Sequence, residues 1–502
     1  MPLALTPWPS SVAPSDGPPL QVTDASGTRQ QIAAHLAEGS WIRADGHGPE
    51  GYTLDVTAEG VRIEASAAAG AFYARQTLAQ LIRVEDRSAH VPAVAIRDSP
   101  RFAHRGLMLD VARHFHPVDT VEAVIDRAAS LKLNALHLHL TDDHGWRLQL
   151  RSHPELAAAA SATSVGGDPG GFYTPDDYAR IVSYAAARHI TVIPEIDLPG
   201  HTHALALSHP ELASEPTITD AVREVAELYG GGLPQAGAPY TGLAVGFSSL
   251  RADAPGLEPL LRDVFGELAQ LTPGPFVHFG GDEALGTPHE DYRRMVSLAA
   301  KLIAETGKTP VAWHEAGAAE LPSGAVGQYW GYRVPRDGHD DSARAFVAAG
   351  GSIILSPADA VYLDMKYDVD TPLGLTWADG PTSVARSYDW EPAHVLADVA
   401  ESAILGIEAC LWTETIRDLA DIDAMMFPRV ASAAELAWSS PASPERTWHS
   451  FRERIAGLAD GWTESGIAFH RSAEIPWRAG PAAENAADSR DVGAAGPMLS
   501  AS

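Results

Sequence analysis

The chain has 502 residues, 65 of them acidic against 36 basic, for a net charge of −29. That length admits roughly two to four domains and a large apolar core. The charge removes the basic footprint that nucleic acids and anionic membranes require, and it disfavours polyanionic substrates, so neutral small molecules or sugars fit better. Twelve tryptophans offer flat rings of the kind that stack on sugar faces, although most of the twelve are expected in the core.

Cys410 is the single cysteine, so there is neither a disulfide framework nor a Cys-based zinc site. It lies in the apolar run Ile404 to Trp412 and reads as a buried, inert thiol. No run of 18 apolar residues occurs, which argues against a transmembrane helix. The start, Met1-Pro2-Leu3-Ala4-Leu5, lacks the basic and apolar regions of a signal peptide. The chain as given therefore reads as cytoplasmic, with secretion open if a leader was removed.

Residues 1–20, rich in Pro and Ser, are expected to be irregular. From Gly51 to Glu64 apolar and polar residues alternate around Ala58-Glu59-Gly60, which predicts a β-hairpin. Ala67 to Arg83 has helical periodicity, and Val91 to Ile96 predicts another strand. Residues 1–98 thus form a small α+β domain without an acid–base set, and its expected role is structural.

Ser99-Pro100-Arg101 marks a boundary, beyond which strand-like and helix-like segments alternate. The predicted strands are Gly106–Val111, Ala135–Leu140, Thr191–Ile196, Phe276–Phe279, Val311–Trp313, Ala325–Tyr329, Ser352–Leu355 and Ile404–Leu411. Eight strands alternating with helices predict an α/β fold, a (β/α)8 TIM barrel over residues 99–478 preceded by the small α+β domain. Helical patterns at Asp421–Trp438 and Pro444–Gly457 close it, and residues 479–502, rich in Ala, Gly and Asp, are expected to be a disordered tail.

A barrel of this kind does its chemistry at the C-terminal ends of the strands, so polar residues are expected to cluster there. They do: Asp110 and Arg113-His114; Thr141-Asp142-Asp143-His144; Glu195, Asp197 and His201; Asp282-Glu283; Trp313-His314-Glu315; Tyr329-Trp330; Tyr362 and Asp364; Trp412 and Glu414. Trp313, Trp330 and Trp412, with Tyr362 and Trp377, are suited to wall an apolar pocket for a sugar face or a methyl group. Arg105, Asp364 and Glu414 are candidates for its rim, where charge-assisted bonds hold hydroxyls. Arg105 stands at the start of a strand, a place that usually serves stability.

The octapeptide Phe276-Val-His-Phe-Gly-Gly-Asp-Glu283 reads as a short buried strand, a tight glycine turn and two adjacent carboxylates. Consecutive residues point in different directions, so Asp282 and Glu283 do not face each other across one bond as ordinary glycosidase carboxylates do. They suit two neighbouring atoms of one substrate. His137 and His139 share one face of a strand and raise a metal-dependent hydrolase as an alternative, but hydrogen-bonded barrel histidines are the better reading. No metal or cofactor is assigned. A non-catalytic sugar-binding barrel and a conventional two-carboxylate glycosidase are further alternatives.

The chain resembles glycoside hydrolase family 20, the β-N-acetylhexosaminidases, from about residue 50 to 440. The resemblance rests on Arg105-Gly-Leu-Met-Leu-Asp110, Thr141–Trp146, Glu195–His201, His278-Phe-Gly-Gly-Asp-Glu283, Tyr362-Leu-Asp364 and Trp412-Thr-Glu414. It implies exo-acting, substrate-assisted retaining hydrolysis of terminal β-linked N-acetylhexosaminides through an oxazolinium intermediate, with small carbohydrates as the only ligands. On the family pattern Glu283 is the acid–base, Asp282 orients the acetamido group and Tyr362 holds its oxygen. The resemblance makes Asp197 and His201 the pair that tunes the acid, with Asp142 in the same network. It gives Trp313, Trp330 and Trp412 to the acetamido methyl and sugar face, and Arg105, Asp364 and Glu414 to the ring hydroxyls. Nothing in the sequence marks an oligomeric interface or separates gluco from galacto substrates.

Overall fold

The computed structural model describes residues 3–23, 25–85 and 88–478; the tail predicted over 479–502 lies outside them. The first layer is a five-stranded sheet in the spatial order Ser11–Pro14, Val94–Asp98, Tyr52–Thr57, Gly60–Ala65 and Trp41–Arg43. The predicted hairpin is its centre, with Leu54 opposite Ile63 and Val56 opposite Val61. The helix Ala68–Leu81 covers one face. The structure corrects the irregular N-terminus: Ser11–Pro14 pairs antiparallel with Val94–Arg97. It is an edge strand, where a proline that cannot donate to the ladder is tolerated, and that is why its composition hides it.

The second unit is a closed barrel of eight parallel strands: His104–Asp110, Ala135–His139, Thr191–Glu195, Phe276–His278, Thr309–Trp313, Val326–Tyr329, Ser352–Leu355 and Ile404–Leu411. All eight predicted strands are present. The last pairs with the first, Ile407 opposite Arg105 and Leu411 opposite Leu109, and so closes the cylinder. Most strands read as continuous apolar runs because helices bury their outer faces while side chains fill the interior. The single helical stretch predicted over 421–438 is two helices, Leu419–Met426 and Arg429–Trp438, because Pro428 lacks the N–H needed to continue the first. Between the third and fourth strands a long excursion adds the helices His203–Ser208 and Asp220–Tyr229, which periodicity did not single out.

A polar cluster joins the two units at the N-terminal end of the barrel. Asp98, at the end of the small sheet, accepts hydrogen bonds from Lys132 Nζ at 2.8 Å, Tyr52 Oη at 2.7 Å and Trp438 Nε1 at 2.9 Å. Arg105 belongs to this cluster and not to the substrate pocket, which corrects the role assigned to it. Its guanidinium donates to Glu50 at 2.6 Å and to the carbonyls of Phe102 and Lys132 at 3.0 and 2.9 Å, and it lies 4.9 Å over the Trp438 ring. Among the described residues no helix is long and apolar enough to cross a membrane.

Replacing Arg105 by Met is expected to lower the unfolding free energy by about 3 kcal/mol, the low end for breaking a buried ion pair, because Glu50 keeps part of its hydration. Kinetic constants of the folded variant should stay within about twofold of wild type, since Arg105 lies at the end of the barrel opposite the site. A large loss of kcat/KM with an unchanged urea midpoint would return Arg105 to the site.

Candidate active site

The glycine turn after the fourth strand sets the geometry. Gly280 and Gly281 have φ of 71° and 103°, in the left-handed region that glycine enters freely. A Cβ on Gly280 would fall 1.5 Å from Asp197 Oδ1, so no other residue fits there. Asp197 instead accepts the Gly281 N–H at 3.1 Å, and His278 Nδ1 accepts the Gly280 N–H at 3.0 Å. The turn delivers Asp282 into a buried position, while Glu283 stays about one-third exposed (34%). Glu283 has φ of 44°, an uncommon conformation for a side-chain-bearing residue, and this separates its direction from that of Asp282.

Behind the two carboxylates stands His201, with Nε2 at 3.4 Å from Glu283 and 3.7 Å from Asp282. Its Nδ1 lies 3.1 Å from Asp142. Burial disfavours charge on this imidazole, but Asp142 and Asp282 outweigh it and hold the ring as a cation well above its ordinary range. The partner of His201 is therefore Asp142; Asp197, paired with it in the sequence reading, is occupied with the glycine turn. Asp143 takes a different part, accepting from Ser248 Oγ and the His203 N–H, which fixes the loop that carries His201.

Asp142 in turn receives Arg113 at 2.9 Å and His139 Nε2 at 3.0 Å. From His139 a buried column descends the barrel: Glu195, then His137, whose Nδ1 lies 2.8 Å from Glu408, and then His104 at 2.8 Å from the same carboxylate. Burial opposes charge on both central histidines, but their carboxylates push His137 up to about 9 and His139 up to about 10. Both nitrogens of each ring face carboxylates, and an imidazolium offers no lone pair to a metal. His137 and His139 are thus built as cations within a charge-alternating column.

The pocket wall is aromatic. Trp313 and Trp412 lie 5.9 Å apart between ring centroids, Tyr362 lies 6.1 Å from Trp412 and 5.7 Å from Trp377, and Trp330 lies 6.1 Å from Trp377. Trp313 is fully buried and donates to Glu195 at 2.9 Å, whereas Trp377 stands exposed at the rim. Trp330 is oriented by its N–H bond to Glu315 at 3.0 Å.

Both oxygens of buried Asp364 and Oε2 of Glu414 have no hydrogen-bond partner. Oδ1 of Asp282 is unpartnered as well. Buried acceptors left in this state call for donors from outside the chain. The arginine of this pocket is Arg113, held 4.7 Å over the Trp412 ring and raised in pKa, against burial, by Asp142, Asp110 and Glu414.

The structure brings together Asp142, Asp197, His201, Asp282, Glu283, Trp313, Trp330, Tyr362, Asp364, Trp377, Trp412 and Glu414. It leaves out Arg105 and adds Arg113, Glu195 and Glu315. Arg113 had a usable signal: it follows the first strand's end, three residues after Asp110, whose Oδ1 accepts the Arg113 N–H at 3.0 Å.

A parallel barrel with paired carboxylates, an aromatic pocket and unpartnered acceptors at its C-terminal mouth defines a carbohydrate hydrolase. The model of the family described as glycosyl hydrolase family 20, catalytic domain, matches residues 102–441, and that of the same family's domain 2 matches residues 8–99. A β-N-acetylhexosaminidase of Cellulomonas fimi is 44% identical over 434 residues, spanning 86% of this chain and 82% of that protein. A solved glycoside hydrolase family 20 β-N-acetylglucosaminidase is 54% identical, with a TM-score of 0.88 over 95% of this chain and 100% of that one. The N-acetyl-β-hexosaminidase of Streptomyces plicatus, solved with Thio-NAglucal, is 42% identical, with a TM-score of 0.84 over 95% of this chain and 98% of that one. The chain belongs to glycosyl hydrolase family 20, and it is a glycoside hydrolase of the β-N-acetylhexosaminidase type.

Asp364 yields a stability test. Burial, reinforced by the charge of Glu414, holds its carboxyl well above the ordinary range. The folded protein then keeps a proton that the unfolded chain has lost, so stability falls as pH rises from about 4 toward the folded-state value. Asp364→Asn lacks this penalty. Its thermal midpoint at pH 7 should exceed that of the wild type, the difference closing near pH 4, while activity is lost. A lower midpoint at pH 7 would mean that partners stabilise the charge.

Proposed function

We propose that the protein is an exo-acting enzyme that removes terminal non-reducing β-linked N-acetylhexosamine, GlcNAc or GalNAc, with the substrate's own acetamido group as nucleophile. The observation that carries this reading is the unequal burial of two adjacent carboxylates over an aromatic pocket. Glu283, partly exposed, meets the leaving group and water; Asp282, buried, meets a group held inside.

In the first step the acetamido oxygen forms a bond to the anomeric carbon as the glycosidic C–O bond breaks. Glu283 gives its proton to the departing oxygen. Asp282 accepts a hydrogen bond from the acetamido N–H and balances the positive charge that spreads over the oxazolinium ring. Glu283 is now an anion, and the His201 cation 3.4 Å away offsets its charge. In the second step Glu283 takes a proton from water, whose oxygen attacks the anomeric carbon and reopens the ring, so the configuration is retained.

Tyr362 holds the acetamido oxygen, and Trp313, Trp330 and Trp412 enclose the methyl group and sugar face, with Trp377 at the rim. Arg113, Asp364 and Glu414 bind the ring hydroxyls and close the non-reducing end, which makes the action exo. Asp197 acts through the turn, and Asp142 through His201.

Burial is the main cause that pushes Asp282 up to about 6; His201 lowers it and Glu283 raises it. The reaction needs its anion. On the acid side kcat/KM should therefore fall about tenfold per pH unit below about 6, and Asp282→Asn should remove that limb along with most of the activity. A rate independent of pH between 4 and 7, on a scale where ordinary carboxylates titrate near 4, would remove Asp282 from this role.

Glu283→Gln should lose about 10²–10⁴-fold with a poor leaving group and far less with an activated aryl one. Equal losses would show that Glu283 is not the acid. Turnover of a chromogenic β-N-acetylglucosaminide but not of the matching β-glucoside is the expected signature of acetamido assistance; turnover of both would point to an enzyme nucleophile.

A further inference from the structure

The hexapeptide Ser-His-Pro-Glu-Leu-Ala occurs twice, at 152–157 and at 208–213. The fold brings the two copies face to face on the protein surface, outside the catalytic pocket. His153 precedes the helix Pro154–Ala160, and His209 ends the helix His203–Ser208, which packs against it. A proline after each histidine fixes the local backbone.

Each histidine lies near the glutamate of its own copy: His153 Nδ1 is 3.0 Å from Glu155 Oε1, and His209 Nδ1 is 3.2 Å from Glu211 Oε1. The copies also meet, since His209 Nε2 lies 3.3 Å from the same Glu155 oxygen. That approach lacks hydrogen-bond geometry, and the Nε2 atom is buried without a partner. The outer nitrogen of His153, Nε2, faces Asp263 at 3.4 Å on the helix Leu257–Leu271.

We propose that His153 Nδ1, His209 Nε2 and Glu155 Oε1 form a binding site for a zinc-type divalent cation. Their ligand atoms lie within 4.8 Å of one another. Ligands about 2.0–2.1 Å from a tetrahedral zinc stand roughly 3.3 Å apart, close to the 3.0 and 3.3 Å separations here. The outer atoms complete the pattern. Asp263 meets the free nitrogen of His153 and Glu211 that of His209, and a carboxylate on the second nitrogen is what orients a metal-binding imidazole. Three carboxylates surround the two rings, and the two ring nitrogens favour zinc over calcium or magnesium.

Glu155 is 46% exposed by side chain and each histidine 19%, so an ion can enter from solvent and the fourth position falls to water. Bound there, the cation ties the helix Pro154–Ala160 to the far end of the helix whose start follows His201. The site acts as a clamp on the long excursion between the third and fourth barrel strands and takes no part in the hydrolysis.

The test titrates metal-free full-length enzyme with zinc chloride by calorimetry, and with cobalt chloride by visible absorption. One site per chain, the intense absorption of low-coordinate cobalt and a raised thermal midpoint with unchanged kcat/KM are expected. His153→Asn combined with His209→Asn should abolish all three metal responses while leaving hydrolysis intact. Glu211→Gln and Asp263→Asn should each weaken binding about tenfold. No binding at millimolar zinc would overturn the proposal, as would undiminished binding in the double variant. In the second case, zinc that inhibits hydrolysis would place the ion at His201, Asp282 and Glu283.

Discussion

The charge of Glu195, buried at the centre of the barrel, is the constraint on which the site depends. A carboxylate with no access to water is stable only if cations and hydrogen bonds replace its hydration. His137, His139 and Trp313 do so, from the second and fifth strands. Two buried imidazolium ions then require carboxylates of their own, and Glu408 and Asp142 meet that need. Asp142 brings in Arg113 and His201, and His201 presents its remaining nitrogen to Asp282 and Glu283. The position of the catalytic pair thus follows from charge neutralisation that runs from the lower barrel to its mouth. Every member sits on or beside a strand of the barrel, so none can shift without separating opposite charges.

The same site carries groups that weaken the fold. Asp364, Glu414, Asp197 and Glu315 all have carboxyls pushed above their ordinary range, chiefly by burial. A barrel selected for stability alone would place apolar side chains there. Their retention is intelligible if a ligand supplies the missing donors, because substrate binding then returns stability that the empty site lacks. Asp197 shows how the strain is divided. Burial and the Asp282 charge hold its carboxyl well above the ordinary range, while one of its oxygens accepts the N–H of the glycine turn.

The barrel was legible because each strand combines an apolar run with an abrupt polar end, a pattern that local sequence carries in full. Asp282 and Glu283 were legible for the same reason, since their glycine turn is written beside them. What escaped depends on pairing across the chain. Arg105 and Arg113 stand at the two ends of one strand, and what the sequence does not carry is the partner of each: Glu50 and Trp438 hold Arg105, and Asp142 and Trp412 hold Arg113. The family resemblance pairs His201 with Asp197, but the carboxylate nearest its Nδ1 is Asp142 from another strand end. Ser11–Pro14 was hidden because an edge strand needs little of the usual strand composition. Pro428 lies within the predicted closing stretch, where continuous apolar spacing masks the division a proline imposes between two helices.

Adjacency of the two carboxylates restricts the mechanism more tightly than their identity does. Two acids that share a peptide bond, one turned outward by a left-handed backbone, cannot flank an anomeric centre from opposite faces in the way a separate nucleophile and acid do. They can address two sites on the same side of the reaction, the leaving oxygen and a neighbouring substituent. A glycoside without such a substituent would leave Asp282 buried with no donor before it. The 2-acetamido group supplies that donor in its N–H, the nucleophile in its oxygen, and a methyl group of the size an aromatic wall encloses. Specificity for N-acetylhexosamines and the absence of an enzyme nucleophile are therefore one property of this pocket, and a variant that relaxed the first would lose the reaction.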